Sequence, residues 1–406
     1  MASIVREDLA MPRGSQKTTT IGYFVAFVAL GLAYASLGPT LTDLATKVGV
    51  NLQQISYALT ARGFGYLLGS ALGGRLYDRV RGHPVISGVL VIIAGLLVVI
   101  PLSQVLWLLV VLLFLLGMAQ GTLDVGGNTL LVWVHGDAVD PYMNAMHFFF
   151  GVGAFIAPII VAQSVVWAGR FEPAYWVLAV LMLPVAIRML RLPSPSGQAH
   201  LEGTSEDGVV RGTRKDVRLV GLLALFFFLY VGAEGSYGSW IAAYAEKTGL
   251  GGPATAAYMA SAFWGALTLG RLLSIPLAAR YSPRQVLFGD LVGCLGSTVV
   301  FLLFPGSAAA AWVGTFGAGL FMASIFPTCL SLAERHLAIT GQITSFFFIG
   351  GSLGGMVIPY VIGQLFERTG PGVTITAIMG SLVLASVVFG AIVLHTRRSE
   401  QGVNGG

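Results

Sequence analysis

Two carboxylates stand in long apolar stretches of this chain. Asp124 lies within GMAQGTLDVGGNTLLVWV (117–134) and Glu234 within LYVGAEGSYGSW (229–240). A charged side chain inside a membrane costs roughly 2.5–3.5 kcal/mol on insertion scales and usually faces a cavity. Each carboxylate could take a proton or ligate Na⁺, so cation binding is the first chemistry to consider. For Asp124 the alternative is a structural carboxylate that is hydrogen-bonded to a neighbouring helix.

Two amides stand on the helix face of Asp124. Gln120 precedes it by four residues and Asn128 follows it by four, a spacing that places all three on one side of a helix. Gly117 and Gly121 extend the same stripe and allow a neighbouring backbone to come close. A polar stripe beside small residues is typical of a helix that lines a water-filled cavity. We therefore expect Gln120 and Asn128 to bond the hydroxyl groups of a solute.

Glu234 has aromatic neighbours on its own helix. Tyr230 precedes it by four residues and Tyr237 follows it by three, with Trp240 and Tyr244 further on. Aromatic faces stack on the apolar faces of a sugar ring, while a carboxylate bonds its hydroxyls. The pattern favours a sugar site that includes Tyr237. Trp240 and Tyr244 are interpreted as residues of the membrane interface.

Five more polar or aromatic residues in apolar stretches are candidates. Trp264 and Thr268 share a helix face, and both are predicted substrate contacts, although packing is the alternative for Trp264. Arg271 on that face suits a gating ion pair or snorkels to the interface, and snorkelling is the interpretation for Arg62. His147 is a candidate substrate contact or proton relay, with a structural histidine as the alternative.

The composition identifies the class of protein. Of 406 residues, 55% are hydrophobic and 10% are charged, with a mean hydropathy of +0.81. Soluble domains carry about 25% charged residues, so this is a polytopic membrane protein. The net charge of +5 comes from loops beside apolar segments and does not indicate nucleic acid. No cleavable signal peptide is expected. Cys294 and Cys329 lie in apolar spans, which argues against a disulfide framework.

Apolar runs of about 20 residues, the length that crosses a bilayer as a helix, recur along the chain. They predict twelve helices: 21–44, 56–78, 84–101, 105–134, 142–168, 172–190, 217–245, 255–279, 285–304, 309–333, 341–366 and 373–395. A polar linker, 191–216, separates two six-helix bundles, 21–190 and 217–395. Residues 1–20 and 396–406 are predicted tails. The predicted fold class is an all-α membrane protein.

Basic residues predict the orientation of the helices. Only Lys47, Arg170, Lys247 and Arg368 fall in the loops on the side opposite the termini, and the other loop Lys and Arg residues share the side of the termini. Cytoplasmic loops carry the excess of Lys and Arg. Both termini and the central linker are therefore expected in the cytoplasm, with the chain in the plasma (inner) membrane.

The two halves resemble one another at a nearly constant offset. DLATKVGV (43–50) matches AYAEKTGL (243–250) at an offset of 200. GVGAFIAPIIV (151–161) matches SLGGMVIPYVI (352–362) at 201, which superposes Pro158 on Pro359. Matches in corresponding spans at a nearly constant offset indicate a duplicated unit, the parallel repeat of a major facilitator transporter.

A loop motif agrees with that interpretation. GRLYDRVRGH (74–83) resembles the loop signature of the major facilitator superfamily at Gly74, Leu76, Asp78 and Arg79, but Arg81 replaces a glycine. The resemblance implies a charge lock between helices at the cytoplasmic gate, formed by Asp78 and Arg79, to which we add Arg271 as a gate candidate. In the second half Ala279 replaces the aspartate and only Arg280 remains, so the lock would be one-sided.

A narrower resemblance covers nearly the whole chain. The segments GPTLTDLAT (38–46), LDVGGNTLLVWVHGDAVDPYMNAMHFFFGVGAFIAPII (123–160), VGAEGSYGSWIAAYA (231–245), AFWGALTLGR (262–271) and SIFPTCLSLAE (324–334) carry it. They resemble the sodium-dependent glucose transporter 1 group, which is related to bacterial fucose/glucose–proton symporters. This resemblance implies symport of a neutral hexose such as glucose with H⁺ or Na⁺, with Asp124 and Glu234 as the cation-coupling residues.

Other functions have less support. No phosphate-binding loop or nucleophile elbow is present, so ATP-driven transport and enzyme activity are not expected, and no cofactor or metal is expected beyond the coupling ion. Proton-coupled export of drugs or amphiphiles remains an alternative. A non-transporting sensor or lipid scramblase is a third. The expected partners are a small molecule, presumed a sugar, and the lipid bilayer, with no nucleic acid, and the expected state is a monomer.

Overall fold

The structure, a computed structural model, describes residues 13–195, 216–337 and 341–404. Its regular elements are helical in these ranges. They are α1 (Arg13–Ala35), α2 (Leu41–Lys47), α3 (Leu52–Tyr77), α4 (Gly82–Val99), α5 (Leu106–His135), α6 (Asp140–Ala168), α7 (Glu172–Arg191), α8 (Val217–Lys247), α9 (Pro253–Arg280), α10 (Pro283–Leu303), α11 (Ala308–Met322), α12 (Ile325–Glu334), α13 (Gly341–Thr369) and α14 (Val373–Asn404). The N-terminal tail to residue 12 and linker residues 196–215 lie outside the described residues.

The prediction of twelve membrane helices is confirmed. Eleven segments of the described chain are long and apolar enough to cross a membrane, with α1–α2 and α11–α12 each counting as one. The twelfth predicted membrane helix is α3, which has 26 residues and is also long enough to cross a membrane, but its sequence is more polar. It packs between α5 and α13. It begins at Leu52, four residues before the predicted start, because Asn51 and Gln54 form a reciprocal capping box.

Two predicted helices are interrupted. The first ends at Ala35 and resumes at Leu41, with Pro39 in the short turn between. The tenth stops at Met322 and resumes at Ile325 as α12. Pro327 explains the second break, since it lacks the N–H that would bond the carbonyl of Ala323 four residues earlier and its ring crowds that carbonyl.

The helix pairs follow the sequence repeat. In the first half α1 packs on α6 and α3 on α5, and in the second half the corresponding pairs are α8 with α13 and α9 with α11. The halves meet through α3 with α13 and α6 with α9, which are again corresponding pairs. The packing therefore has the approximate twofold symmetry predicted from the matches at offsets of 200 and 201.

Glycines bring paired helices into backbone contact. A Cβ built on Gly117 of α5 would lie 1.9 Å from the carbonyl oxygen of Arg62 on α3. The same construction on Gly354 of α13 gives 1.8 Å to the carbonyl oxygen of Phe228 on α8. Small residues allow this approach between membrane helices. The close packing predicted for Gly117 is confirmed, and the GGSLGG stretch at 350–355 packs in the same way.

Gly117→Val is expected to lower the thermal stability of the detergent-solubilised protein markedly, by several °C, because α3 and α5 must separate to admit the new side chain. Gly95→Val on α4 is the matched control, since a Cβ at Gly95 meets no atom within 4 Å. Tryptophan fluorescence melting of the purified variants measures both. Equal melting temperatures for the two variants would contradict the assigned helix contact.

The two ends of the bundle differ. We call the end where α1 begins and α14 ends the terminal end, and the opposite end the distal end. At the distal end Glu367 of α13 accepts from the Leu52 amide at 3.0 Å, and the Gln364 amide donates to Ser56 at 3.0 Å. These bonds join the halves through α3 and α13. The distal end is therefore closed by polar contacts between the halves.

The expected charge lock does not form at the terminal end. Asp78 and Arg79 are exposed, and neither side chain has a hydrogen bond or ion pair with any residue in the described ranges. Phe348 of α13 lines the central cavity and is also 53% exposed. At the distal end, by contrast, the halves are hydrogen-bonded to each other.

Candidate functional site

A cavity of about 290 Å³ lies between the two halves. The first half lines it with Leu30, Tyr34, Leu59, Arg62, Gly63, Tyr66, Asp124, His147 and Phe150. The second half adds Val231, Glu234, Gly235, Ser239, Trp264, Arg271, Phe326, Phe347, Phe348, Gly351, Ser352, Gly355, Met356 and Pro359. Two basic and two acidic side chains are among them. Every charged residue that the sequence placed within apolar spans as a candidate, together with His147, reaches this cavity.

Asp124 is held by two neighbours in the first half. The Tyr66 hydroxyl on α3 donates to one carboxylate oxygen at 2.5 Å, and the Asn128 amide donates to the other at 3.1 Å. The same amide donates to the Asp124 backbone carbonyl at 2.9 Å. Asn128 does not line the cavity. Its amide therefore fixes Asp124, and a direct contact of Asn128 with the solute stays a prediction.

Arg62 is buried and does not snorkel. Its side chain is 9% exposed, its Nε donates to Gln120 Oε1 at 2.9 Å, and its Nη2 donates to the Tyr34 carbonyl at 3.1 Å. The guanidinium also lies 4.3 Å from the centre of the Tyr34 ring, a cation–π contact. The snorkelling interpretation is wrong because α3 begins at Leu52, which puts Arg62 almost three turns inside the helix.

Gln120 supports that arginine. It is fully buried and absent from the cavity wall, and its amide oxygen is taken by Arg62. A direct contact of Gln120 with the solute stays a prediction. The spacing of Gln120, Asp124 and Asn128 placed three polar groups on one face correctly. Of the three, Asp124 alone lines the cavity. Gln120 accepts from Arg62, and Asn128 donates to Asp124.

Glu234 has a tyrosine partner in the second half. The Tyr230 hydroxyl, one turn earlier on α8, contacts the Glu234 carboxylate and lies 2.9 Å from the carbonyl oxygen of Met322, the last residue of α11. Each half therefore supplies one cavity carboxylate with a tyrosine hydroxyl beside it. In the first half the pair joins α3 and α5, and in the second half both members stand on α8.

Arg271 and His147 connect the halves beside the cavity. Arg271 Nη1 of α9 donates to the backbone carbonyl of His147 on α6 at 3.1 Å. The His147 ring packs edge to face against Phe27 at 5.7 Å. Both residues line the cavity. Arg271 thus lies in the wall of the site and joins the two halves there, while Asp78 and Arg79 are exposed at the terminal end.

Trp264 is the aromatic candidate that reaches the cavity. It lines the wall while only 3% exposed, and it meets the Tyr34 ring edge to face at 5.8 Å. Its indole N–H has no hydrogen-bond partner in the described parts of the chain. Tyr237 stacks on Phe263 at 4.8 Å, and the Thr268 hydroxyl donates to the Trp264 carbonyl at 2.7 Å. Neither Tyr237 nor Thr268 lines the cavity, and their assignment as direct contacts stays a prediction.

Comparison with known proteins agrees with this architecture. A profile described as Major Facilitator Superfamily matches residues 21–359. The chain belongs to the major facilitator superfamily. Its fold is also that of the nucleoside transporter NupG, with a TM-score of 0.70 at 15% identity, over 94% of this chain and 98% of that one.

Closer relatives carry a transporter name. The chain is 33% identical to sodium-dependent glucose transporter 1 of Xenopus laevis, over 82% of this chain and 73% of that protein. It is also 33% identical to the Homo sapiens protein of the same name, over 84% and 72%. The resemblance seen in the sequence segments is thereby confirmed. The protein is a multi-pass integral membrane transporter of this superfamily, and such transporters take small-molecule substrates.

The charges of this transporter's cavity are not paired with each other. In the described ranges neither Arg62 nor Arg271 has a carboxylate oxygen of Asp124 or Glu234 within 4 Å. With both carboxylates ionised the four side chains sum to zero charge. Each carboxylate can gain a proton or meet a cation without first breaking a salt bridge.

The sequence argument missed several residues of the site. Tyr34 and Tyr66 line the cavity, yet nothing in their local sequence distinguishes them from packing tyrosines. Asp290 was also missed, although it stands in the apolar run QVLFGDLVGCLG (285–296) and is 7% exposed. The rule that singled out Asp124 would have found it.

Proposed function

We propose that this transporter is a secondary active symporter that carries a neutral hexose such as glucose together with H⁺ or Na⁺. The observation that carries the proposal is the cavity between the halves, with two carboxylates that lack salt-bridge partners in the described chain. Alternating access between duplicated halves around a central site is the working principle of this transporter architecture. The relatives named sodium-dependent glucose transporter 1 support the choice of substrate.

The wall of the cavity suits a sugar. Trp264 and Tyr34 offer aromatic surface, and the buried indole N–H of Trp264 has no hydrogen-bond partner in the described chain. Ser239 and Ser352 add hydroxyls to the lining. The volume of about 290 Å³ lies at the lower limit of ligand pockets, roughly 300–1,000 Å³. A monosaccharide fits that size better than a large amphiphile.

Asp124 and Glu234 are the proposed coupling groups. An ionised carboxylate resists desolvation, so closure of the halves around an empty, charged site is unfavourable. A proton or Na⁺ at either carboxylate removes that charge, and closure around the solute becomes easier. His147, whose ring is in the same wall, is a further proposed solute contact.

The distribution of basic residues supports an orientation. The terminal end carries most loop Lys and Arg residues, so we assign it to the cytoplasm and place the protein as a monomer in the plasma (inner) membrane. The contacts of Glu367 and Gln364 then close the outer side. No resident cofactor takes part in this proposal.

Uptake into proteoliposomes tests the proposed function. Radiolabelled glucose and other hexoses are presented with a proton gradient or a sodium gradient imposed separately. Saturable accumulation driven by one of the gradients is expected. Flux of amphiphilic cations without hexose flux would favour the drug exporter, and lipid movement without any saturable solute flux would favour a scramblase.

Trp264→Phe is expected to remove most of the fluorescence change that hexose binding causes and to weaken binding about fivefold. The reason is that phenylalanine keeps the ring contacts but lacks the indole N–H, which is worth about 1 kcal/mol as a hydrogen bond. Fluorescence titration of the purified protein gives the dissociation constant. Trp167→Phe is the matched control because Trp167 is 85% exposed and absent from the cavity wall. An unchanged titration for Trp264→Phe would remove it from the site.

A further inference from the structure

Asp290 is a buried carboxylate outside the cavity. It lies on α10, two turns from its start, and is 7% exposed. Its bond in the described chain is with the Ser324 hydroxyl, which donates to Oδ2 at 2.6 Å. No Arg, Lys or His in those ranges has a nitrogen within 4 Å of it. A carboxylate in such a position is costly unless it is protonated or strongly solvated.

Ser324 belongs to the break between α11 and α12. α11 ends at Met322 and α12 begins at Ile325. On one side of the break the Ser324 hydroxyl bonds Asp290. On the other side the Met322 carbonyl meets the Tyr230 hydroxyl, which also contacts Glu234. The break is thus in contact with the cavity carboxylate through Tyr230 and with the second carboxylate directly.

The protons of these groups can be counted. Tyr230 has one hydroxyl proton and two neighbouring acceptors, the Glu234 carboxylate and the Met322 carbonyl. When Glu234 is ionised, the Tyr230 proton is drawn to it. When Glu234 is protonated, its own O–H can donate to the Tyr230 oxygen, and the tyrosine proton turns to the Met322 carbonyl. The protonation of Glu234 therefore decides whether that carbonyl at the break is hydrogen-bonded.

We propose that Asp290 is a second proton-binding carboxylate of this transporter, coupled to Glu234 through Tyr230 and the α11–α12 break. The proposal extends the proposed function in one respect, because it takes Glu234 as a group that changes protonation. Phe326 of α12 lines the cavity and packs on Phe227 at 5.0 Å. A shift of α12 at the break therefore moves a wall of the solute site.

Other titratable groups lie on α10 and on the helices packed against it. On α10 the Cys294 thiol lies one turn further and is fully buried, and Arg284 at the start of the helix donates to His336 and to Thr396 of α14. From α14 His395 faces Asp216. On the packed faces of α11 and α12 the partner is Ser324, while Glu334 at the end of α12 is exposed. α9 turns Arg271 towards the cavity.

Infrared difference spectroscopy of the purified protein tests the proposal without any solute. Spectra recorded between acidic and alkaline pH reveal protonated carboxyl groups by their C=O stretch. Asp290→Asn is expected to remove one titrating band, and Glu234→Gln to shift the midpoint of that band by at least about half a pH unit, which is a modest electrostatic coupling. Tyr230→Phe is expected to reduce this shift, since it removes the connecting hydroxyl.

Matched variants secure the interpretation. Asp140→Asn, at the exposed start of α6, is expected to leave the Asp290 band unchanged. Ser324→Ala keeps the Asp290 carboxylate but removes its hydrogen-bond donor, so it is expected to move the midpoint of the Asp290 band. This variant tests the proposal if Asp290→Asn does not fold. A spectrum unchanged by both Asp290→Asn and Ser324→Ala would overturn the proposal, as would a midpoint insensitive to Glu234→Gln. If the spectra overturn the role of Asp290 while hexose flux is still measured, the proposed function stands. If the spectra show the coupling between Glu234 and Asp290 while no hexose flux is measured, only the proposed function is contradicted.

Discussion

Asp124→Asn and Glu234→Gln are each expected to abolish gradient-driven accumulation of solute while downhill exchange continues. Both substitutions keep the shape of the side chain and remove its ability to gain a proton or neutralise a cation. An imposed tenfold ion gradient stores about 1.4 kcal/mol per coupled monovalent cation, enough for about tenfold solute accumulation. In an uncoupled variant the internal concentration is expected to rise only to the external value.

The hydrogen bonds around the carboxylates explain why exchange should survive. Tyr66 donates to Asp124 at 2.5 Å, and an amide oxygen at the same position can accept that bond. The bond from the Asn128 amide to the other carboxylate oxygen is lost, while the bond of that amide to the backbone carbonyl of residue 124 at 2.9 Å remains. The Glu234 side chain meets the Tyr230 hydroxyl, and a glutamine can accept in the same way. The packing of both halves is therefore retained, and the loss is confined to the linkage between ion and solute.

Proteoliposome uptake with and without an imposed gradient, alongside counterflow of labelled solute, measures the two activities separately. Asp140→Asn is the control, because this exposed residue lies outside the cavity. Accumulation at the wild-type level in both Asp124→Asn and Glu234→Gln would show that the coupling ion binds elsewhere. Loss of exchange together with accumulation would instead assign the residues to solute binding.

Arg62→Lys is expected to reduce transport by roughly ten- to a hundredfold although the charge is kept. The guanidinium bonds Gln120 and the Tyr34 carbonyl in two directions at once and lies over the Tyr34 ring. An ammonium group is a compact point charge and cannot reproduce that planar fork. A buried acceptor that is left without a partner costs about 1–3 kcal/mol, and Tyr34 together with Trp264 forms part of the cavity wall.

Initial uptake rates and thermal stability together test this prediction. Arg75→Lys on the same helix is the matched control, because Arg75 is exposed. Its rate and melting temperature are expected to match the wild type. If Arg62→Lys transported normally, the bonds to Gln120 and Tyr34 would have no part in shaping the site, and the charge alone would suffice.

The two cavity carboxylates are built differently in the two halves. Asp124 receives its tyrosine from a neighbouring helix, where Gly117 and Gly121 bring the α3 and α5 backbones together. Glu234 receives its tyrosine from its own helix, and that tyrosine reaches the carbonyl of Met322 where α11 ends. The repeat thus preserves the helix packing while the polar groups have diverged. Proton or sodium binding need not have the same structural effect in each half.

The sequence by itself determined the membrane class, the twelve helices and the duplicated halves. The reason is physical: an apolar run of about 20 residues has only one stable arrangement in a bilayer, a helix with all backbone groups bonded. The cost of a buried charge also marked Asp124 and Glu234 as cavity residues in advance. The same rule, applied to residues 285–304, would have added Asp290.

Only the tertiary structure decided which polar groups face the cavity and which support them. Helical spacing gives the face of a residue, but not what the neighbouring helix brings to it. Gln120 and Asn128 share a face with Asp124, yet one is taken by Arg62 and the other by Asp124 itself. Tyr34 and Tyr66 come from α1 and α3, far away in sequence. The break at Met322 likewise acquires its partners, Tyr230 and Asp290, only when α8 and α10 pack against it.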